Sequence, residues 1–224
     1  MMSEPSLLFQ PLELPCGAVL QNRLAKAAMS DSLGDGEGNP TRAQVRLYER
    51  WAQGGVGLSI IGEVQGNPEH AAKPGNLVLN DGSDTAALRE LTRRGAAKKT
   101  HLWAQLGHAG AMTDKAIGQR KGPTALALPD LTCAALSAAE IAAVPDAMAR
   151  TAQRARDLGF GGVEIQAAHG FLLSQFLSPL FNRRTDTYGG SLTNRMRLLL
   201  EVVGAVRAAI GPNVPVGVKL NATD

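Results

Sequence analysis

The sequence predicts an α/β fold, and within that class an incomplete (β/α)₈ barrel with about five parallel strands and a short N-terminal hairpin. Three observations in the chain of 224 residues support this prediction. Apolar segments of strand length alternate with helical segments, which is typical of a parallel sheet. The strand segments include continuously apolar runs, as expected for strands buried on both faces. Polar residues come directly after the strands, where a barrel carries its active site.

The polar residues that follow the five predicted strands, in order, are Ser30, Glu63, His108, His169, and Asn221 with Asp224. A doubly wound open sheet has the same bias, so these positions favour the α/β class more strongly than they favour a barrel. No GxGxxG motif follows a strand, however, and this weakens the dinucleotide-binding alternative.

The first part of the chain predicts a hairpin and one strand–helix unit. Leu12–Leu20 alternates around a Cys-Gly turn and predicts the small hairpin. Leu24–Met29 is a short apolar strand. Ser30–Thr41 contains the turn-rich stretch DGEGNP and predicts a loop. Gln44–Gln53 has helical spacing of its apolar residues and ends at a glycine pair.

The second and third strands are each predicted to lead into a helix. Val56–Ile61 is a buried strand, and Asp84–Lys99 is a helix with Asp84 as its N-cap. His101–Leu106 is the next strand. The segment Gly107–Ser137 is longer than a plain connection, so we expect a functional or lid-like loop there.

The last part of the chain predicts two longer helices and two strands. Ala139–Leu158 is helical, and Pro145 inside it predicts a kink or a restart at the next residue. Gly162–Ala167 is a strand. Leu192–Ile210 is a long amphipathic helix closed by a Gly-Pro pair, and Val214–Leu220 is the fifth strand.

Composition and charge exclude several classes of protein. Apolar residues make up 44% of the chain, and the net charge of +3 is spread in clusters too sparse for a nucleic-acid surface. Cys16 and Cys133 lie far apart without metal-ligand spacing, so we expect no metal site and no disulfide framework. The N-terminal segment lacks the features of a secretory signal, and no apolar run has the length of a membrane span. We therefore expect a cytoplasmic protein without membrane or nucleic-acid partners, and homo-oligomerisation is left open.

Three motifs connect the chain to a known family. They are NRL at Asn22–Leu24, QLGHAG at Gln105–Gly110, and the long run GVEIQAAHGFLLSQFLSPLFNRRTDTYGGSLTNR at Gly162–Arg195. From about Leu8 to Asp224 the chain resembles the old yellow enzyme family, the FMN-dependent NADH:flavin oxidoreductases. The resemblance implies a (β/α)₈ barrel with FMN at its C-terminal face. It implies hydride transfer from NADH or NADPH to the flavin N5, and then to the β-carbon of an activated alkene such as an enone or a nitro compound.

The resemblance assigns two residues to the polar edge of the flavin. The Gln105 amide would pair with the pyrimidine edge, because an amide offers a donor and an acceptor together. Lys219, on the fifth strand, would face N1 and C2=O and stabilise the negative charge that reduction builds there. The alternatives are a Gln105 bound to a neighbouring loop and a Lys219 paired with a core carboxylate.

The turn after the first strand and one carboxylate complete the cofactor residues that the resemblance implies. Ala28, Met29 and Ser30 would pack against the flavin, with the Ser30 hydroxyl at O4 or N5. Ser30 could instead serve only as turn chemistry. Glu63 stands where the family usually has a small or amide residue, and an ionised carboxylate there would oppose the reduced flavin. We therefore expect Glu63 to be held neutral or turned away.

The substrate residues implied by the resemblance depart from the family pattern. Gln166 and His169 occupy the positions of the pair that donates hydrogen bonds to the substrate, normally His/His or His/Asn. Phe171 stands where many relatives have a tyrosine that protonates the alkene, and a positioned acid is typically worth about 10²- to 10⁴-fold in rate. Ala111 stands where relatives often have an arginine. We therefore expect ene reduction to be slower than is usual for the family.

Four further family residues, Arg183, Arg184, Asp186 and Tyr188, are expected to fix the loop before the last helix through ion pairs and turns.

The five predicted strands fall short of the eight of a closed barrel. Residues 1–224 are therefore interpreted as the N-terminal part of a single FMN-binding barrel domain, as a fragment, a truncated product or a half completed by a partner. Two alternatives to an FMN-dependent ene-reductase remain open. They are the dienoyl-CoA reductase branch of the family and a degenerate barrel without catalysis that serves as an interaction module.

Overall fold

The computed structural model describes residues 6–222, and its main elements alternate between strand and helix. The strands are β1 Leu12–Glu13, β2 Val19–Leu20, β3 Ala25–Lys26, β4 Leu58–Gln65, β5 Leu77–Val78, β6 His101–Leu106, β7 Lys121–Gly122, β8 Leu126–Ala127, β9 Thr132–Ala135, β10 Gly162–Ala167 and β11 Val216–Leu220. The helices are α1 Arg42–Gln53, α2 Thr85–Gly95, α3 Ala138–Asp157, α4 Leu172–Leu177 and α5 Leu192–Ile210. Asp224, which the sequence places after the fifth strand, lies outside the described residues.

The central sheet is parallel and its strands lie in chain order, β3-β4-β6-β10-β11, with β5 paired to the end of β4. A doubly wound sheet reverses its strand order at a switch point, and this sheet has no such reversal along its path. The sheet curls into half of a barrel. The α/β class and the incomplete barrel are thereby confirmed, and the antiparallel hairpin β1–β2 is present as predicted.

The two faces of the sheet have different environments. The outer face packs against the helices in one large apolar core that includes Leu102, Ile165 and Leu198. The inner face has a small apolar cluster at the N-terminal end of the strands, where Trp103 packs with Leu20 of the hairpin. Because side chains alternate between faces along a strand, the residues beyond this cluster point into the half-barrel at its C-terminal end, and there they are polar.

Side-chain caps explain where the long helices begin. Thr41, Asp84, Ser137 and Ser191 each accept a hydrogen bond from a backbone N–H in the first turn of α1, α2, α3 and α5. Ser137 forms a complete capping box with Glu140.

The restart predicted after Pro145 is wrong, because α3 continues unbroken to Asp157. Its apolar residues pack on the outer core on both sides of the proline, which offsets the one backbone hydrogen bond that proline cannot donate.

Four predicted boundaries are corrected by the structure. The strand predicted over Leu24–Met29 is reduced to Ala25–Lys26, with a separate bridge from Ser30 to Gly62. The second strand ends at Gln65 rather than Ile61, because Val64 and Gln65 pair with β5 and the polar Glu63 and Gln65 are buried. Helix α2 ends at Gly95, since Lys98 and Lys99 adopt positive φ. The segment predicted as a loop over Gly107–Ser137 contains the three-stranded sheet β7-β9-β8.

No helix in residues 6–222 is both long and apolar enough to cross a membrane.

Candidate functional site

The candidate site is the polar inner face at the C-terminal end of the central strands. On β6 and β10, Gln105 lies opposite Glu164, and on β10 and β11, Gln166 lies opposite Lys219. These four side chains come from three neighbouring strands and share one face. The parallel register therefore brings together residues that are up to 114 positions apart in the sequence.

The amide of Gln105 is held between two side chains of β10. Its Nε2 donates to Glu164 Oε1 at 2.7 Å, and its Oε1 accepts from Gln166 Nε2 at 3.3 Å. The partners of Gln105 are thus inner-face side chains rather than a neighbouring loop, which was the alternative. Glu164 was missed at the sequence level, although the period-two alternation of β10 puts it on the same face as Gln166.

Gln166 joins the cofactor side of the inner face to the expected substrate side. Its Nε2 lies 3.3 Å from His169 Nδ1, and its Oε1 accepts from the backbone N–H of Ala168 at 3.2 Å. Gln166 is buried, and His169 is exposed. The two residues therefore contact each other at the rim of the half-barrel.

Lys219 has no ion-pair partner within residues 6–222. Its Nζ is 3.5 Å from the backbone oxygen of Ala28, and its side chain is only partly buried. No described carboxylate lies within 4.0 Å of it. The alternative of a lysine paired with a core carboxylate therefore finds no support, and among residues 6–222 the inner face presents a cation without an ion-pair partner.

The turn Ala28–Ser30 lies beside Gln105, with Gly62 between them. Ala28 is buried, whereas Met29 is 63% exposed and faces open space. A Cβ at Gly62 would lie 2.9 Å from Gln105 Oε1 and 3.0 Å from the Ala28 Cβ, so only glycine permits this close approach. The Ser30 hydroxyl accepts from Asn76 Nδ2 at 2.9 Å, and this contact was missed at the sequence level.

Glu63 was predicted to follow the second strand, but it is a buried carboxyl inside β4. It is 5% exposed and accepts a hydrogen bond from Gln65 Nε2 at 3.2 Å. Burial raises the pKa of Glu63 to about 7, although hydrogen bonds from Gln166 and Gln65 act in the opposite direction. Near pH 7 this carboxyl is therefore only partly ionised, and of the two expectations for Glu63 the first, a carboxyl kept from full ionisation, is the one that burial favours.

His169 and Phe171 lie at the rim, on the loop that leaves β10. His169 adopts a left-handed backbone with φ of 59°, and its N–H donates to Asn221 Oδ1 at 2.9 Å. Asn221, which follows β11, donates in turn to Ser174 Oγ at 3.2 Å. Phe171 is partly buried and immediately precedes α4. Its ring carries no exchangeable proton, so the position cannot supply an acid.

Helix α4 and its residue Gln175 were both missed at the sequence level. Gln175 is fully buried, and its Nε2 donates to the backbone oxygens of Ala109 at 3.1 Å and Gly170 at 2.6 Å. Its Oε1 accepts from the N–H of Ala111 at 3.1 Å. One side chain thus ties the loop after β6 to the loop after β10. A buried glutamine in a six-residue helix gives little periodic signal. The only sequence feature that could have indicated Gln175 is its position within the family motif.

The loop before α5 has contacts of the kind expected of a structural segment. Arg184 pairs with Asp186 and donates to the backbone oxygen of Pro123 at 2.9 Å. The Tyr188 hydroxyl donates to Glu201 at 3.1 Å. The side chain of Arg183 is exposed, and its backbone N–H donates to Thr124 Oγ1 at 3.0 Å. These contacts hold the loop against the small sheet β7–β9 and against α5.

The inner face fits a flat heteroaromatic ring with an imide edge. The Gln105 amide presents a donor and an acceptor together, and Lys219 presents a cation for an electron-rich edge. The space above Gly62 would be filled by any side chain at that position. No group of three or more His, Cys, Asp or Glu side chains within residues 6–222 could hold a metal ion.

Comparisons with known proteins identify a matching family and solved structures of the same fold. The model of the family described as NADH:flavin oxidoreductase / NADH oxidase matches residues 7–224. An NADH-dependent flavin oxidoreductase from Neonectria sp. (strain DH2) is 35% identical over 96% of this chain and 31% of its own length. Morphinone reductase in complex with tetrahydroNAD superposes with a TM-score of 0.86 at 32% identity, covering 95% of this chain and 63% of that one. A 2-naphthoyl-CoA reductase in complex with 2-naphthoyl-CoA gives a TM-score of 0.91 at 27% identity, covering 97% and 36%.

The chain thus spans between 31% and 63% of the length of these three proteins.

Proposed function

The chain belongs to the NADH:flavin oxidoreductase / NADH oxidase family, and from this premise we propose that it is the N-terminal part of a single FMN-binding barrel domain whose protein reduces activated alkenes. NADH or NADPH is the reductant, and an enone, a nitro compound or a related acceptor is the substrate. The observation that carries the proposal is the inner face on which Gln105, Gln166 and Lys219 meet beside Gly62.

The residues that would hold FMN are those at the C-terminal end of the inner face. Gln105 would bind the imide edge and Lys219 the neighbouring carbonyl edge, and Ala28, Met29 and Ser30 would line one side of the ring. When bound, FMN supplies the hydride acceptor and donor that the side chains themselves lack. The charge of Lys219 is suited to stabilising negative charge on the ring, because the cation is already in place before that charge develops.

The residues that would hold the substrate are Gln166 and His169. His169 can donate a hydrogen bond to a carbonyl or nitro oxygen, and Gln166 can donate the N–H that now faces His169 Nδ1, since its other N–H bonds Gln105. Phe171 leaves the site without the usual proton donor, so the proton would come from water. The raised pKa of Glu63 reduces the negative charge that would oppose reduction of the ring.

The proposed cofactor is tested by titrating the purified protein with FMN and following the quenching of flavin fluorescence. Saturable binding in the micromolar range is the expected result. A Lys219→Met variant should bind FMN more weakly, whereas Lys115→Met, which changes an exposed lysine in the loop after β6, should bind it as the unaltered protein does. A protein that does not bind FMN at all would contradict the proposal.

A CoA-thioester reductase is the second candidate function. It is favoured by the TM-score of 0.91 with 2-naphthoyl-CoA reductase, which is higher than the 0.86 of morphinone reductase. The two candidates differ in substrate, so a panel that contains a simple enone, a nitroalkene and an unsaturated acyl-CoA separates them. Oxidation of the reduced protein by the acyl-CoA alone would select the second candidate.

A further inference from the structure

Glu164 is a carboxylate on the inner face that neither the sequence motifs nor the expected substrate pair explains. It lies on β10 two residues before Gln166, and it pairs in register with Gln105 of β6. Its Oε1 accepts from Gln105 Nε2 at 2.7 Å, a shorter contact than the 3.3 Å between Gln105 and Gln166. Glu164 therefore makes the closest contact on the inner face to the amide that would bind the imide.

The orientation of the Gln105 amide follows from this contact. A carboxylate can only accept hydrogen bonds, so the amide must turn its NH₂ group, and not its oxygen, toward Glu164. The Gln105 oxygen is then directed toward the donating NH₂ group of Gln166. In the reversed orientation, oxygen would face carboxylate and NH₂ would face NH₂, so both contacts would be lost together.

We propose that Glu164 is a positioning residue for the flavin imide edge, and that it acts by fixing the orientation of the Gln105 amide. This inference rests on the proposed function. With Nε2 bound to Glu164, Gln105 keeps its second N–H and a lone pair on Oε1 for the ligand. That pair of groups is complementary to a ring carbonyl next to a ring N–H. Charge-assisted hydrogen bonds are roughly twice as strong as neutral ones, which makes Glu164 the stronger of the two constraints on the amide.

A merely structural role makes a different prediction. If Glu164 only stabilised the pairing of β6 with β10, its loss would weaken the binding of every flavin equally. If it orients Gln105, its loss would weaken mainly the binding of flavins that present an N–H at the imide. FMN methylated at N3 lacks that N–H and is the probe that separates the two roles.

The experiment measures dissociation constants for FMN and for 3-methyl-FMN with the unaltered protein, Glu164→Gln, Gln105→Leu and the double variant. Glu164→Gln keeps the shape of the side chain but allows either amide orientation. We expect it to weaken FMN about tenfold, in line with the loss of one charge-assisted bond, and to weaken 3-methyl-FMN much less. In the Gln105→Leu background, Glu164→Gln should have no further effect. Glu37→Gln, at an exposed loop position, is the matched control and should bind both flavins unchanged.

Two results would overturn the inference. One is FMN binding by Glu164→Gln that equals that of the unaltered protein. The other is an equal loss for both flavins that adds to the loss from Gln105→Leu. If Glu164→Gln does not fold, the pair Glu164→Asp and Glu164→Asn gives the same comparison, and only the Asp variant should retain selectivity for FMN. An unaltered protein that binds no FMN contradicts the proposed function itself, and is distinguished from these results by that first titration.

Discussion

Glu63 is a residue whose charge depends directly on the fold. Its carboxyl is enclosed by β4 and the backbone at Gly107, and a Cβ at Gly107 would lie 3.2 Å from Glu63 Oε2. Burial disfavours the charged form, so the pKa is raised from 4.5 to about 7. Because the native state holds a proton that the unfolded chain has already lost, the stability of the protein depends on pH in this range.

The sign of that dependence leads to a prediction for Glu63→Gln. Below pH 4.5 the carboxyl is protonated in both the folded and the unfolded protein. The folded protein then has no buried charge at Glu63, and its stability is not reduced by one. As the pH rises through 7, stability is lost, by an amount on the order of 3 kcal/mol. The variant has no such loss, so its free energy of unfolding relative to the unaltered protein should rise between acidic and mildly basic pH.

Urea denaturation of the unaltered protein and of Glu63→Gln, once at acidic pH and once at mildly basic pH, measures this difference. Glu13→Gln, which changes an exposed carboxyl of β1, is the control. A difference between Glu63→Gln and the unaltered protein that stays constant with pH would rule out a buried neutral carboxyl.

Phe171 is the residue that limits the proposed chemistry. It is two residues from His169 on the loop that leaves β10, at the position where the family resemblance places an acid tyrosine. Phe171→Tyr should therefore accelerate oxidation of the reduced protein by an enone, by about 10²- to 10⁴-fold, without changing the affinity for FMN. Stopped-flow measurement of the reoxidation rate tests this. Phe181→Tyr, which adds a hydroxyl next to the small sheet β7–β9, should leave the rate unchanged.

At the scale of elements, α4 is the connection between two loops of the site. Among the side-chain hydrogen bonds of residues 6–222, those of Gln175 are the only ones that join α4 to both the loop after β6 and the turn at Gly170. Gln175→Leu would leave the buried N–H of Ala111 and the part-buried oxygen of Gly170 without their side-chain partner, whereas the oxygen of Ala109 keeps its bond from the N–H of Met112. The expected cost is about 2–5 kcal/mol of unfolding free energy, measured by urea denaturation. Gln119→Leu is the control, because Gln119 is exposed, and a similar loss there would argue against a specific role for Gln175.

The elements that the sequence predicted best are those with long or continuous apolar patterns. The strands His101–Leu106 and Gly162–Ala167 and the helix Leu192–Ile210 have the predicted bounds. The strands β7 and β8 have only two residues each, which is too short for a period to be recognised. The end of β4 was missed for a different reason. Glu63 and Gln65 are polar and suggest a loop, but they are buried because they bind each other.

At the scale of the whole molecule, the family and the barrel class could be predicted from the sequence, whereas the partners within the site could not. The motif residues Gln105 and Gln166 were identified from the family pattern. Their contact with each other, and that of Gln105 with Glu164, depend on the register between β6 and β10. That register aligns residues 59 positions apart, and it is set by packing of the outer core rather than by any local signal.

The same long-range arrangement determines what the half-barrel can bind. The chain-order sheet directs the ends of β4, β6, β10 and β11 to one side, so a ligand bound there can contact several of them. Active sites of barrels lie on this side. We therefore propose that the inner face holds FMN and passes hydride from a nicotinamide to an acceptor.

Anaerobic addition of NADH or NADPH to the FMN-loaded protein, followed by an enone, tests this claim most directly. We predict that one of the two nicotinamides bleaches the flavin absorbance and that the enone restores it without oxygen. Flavin that is bound but is bleached by neither nicotinamide would contradict the claim.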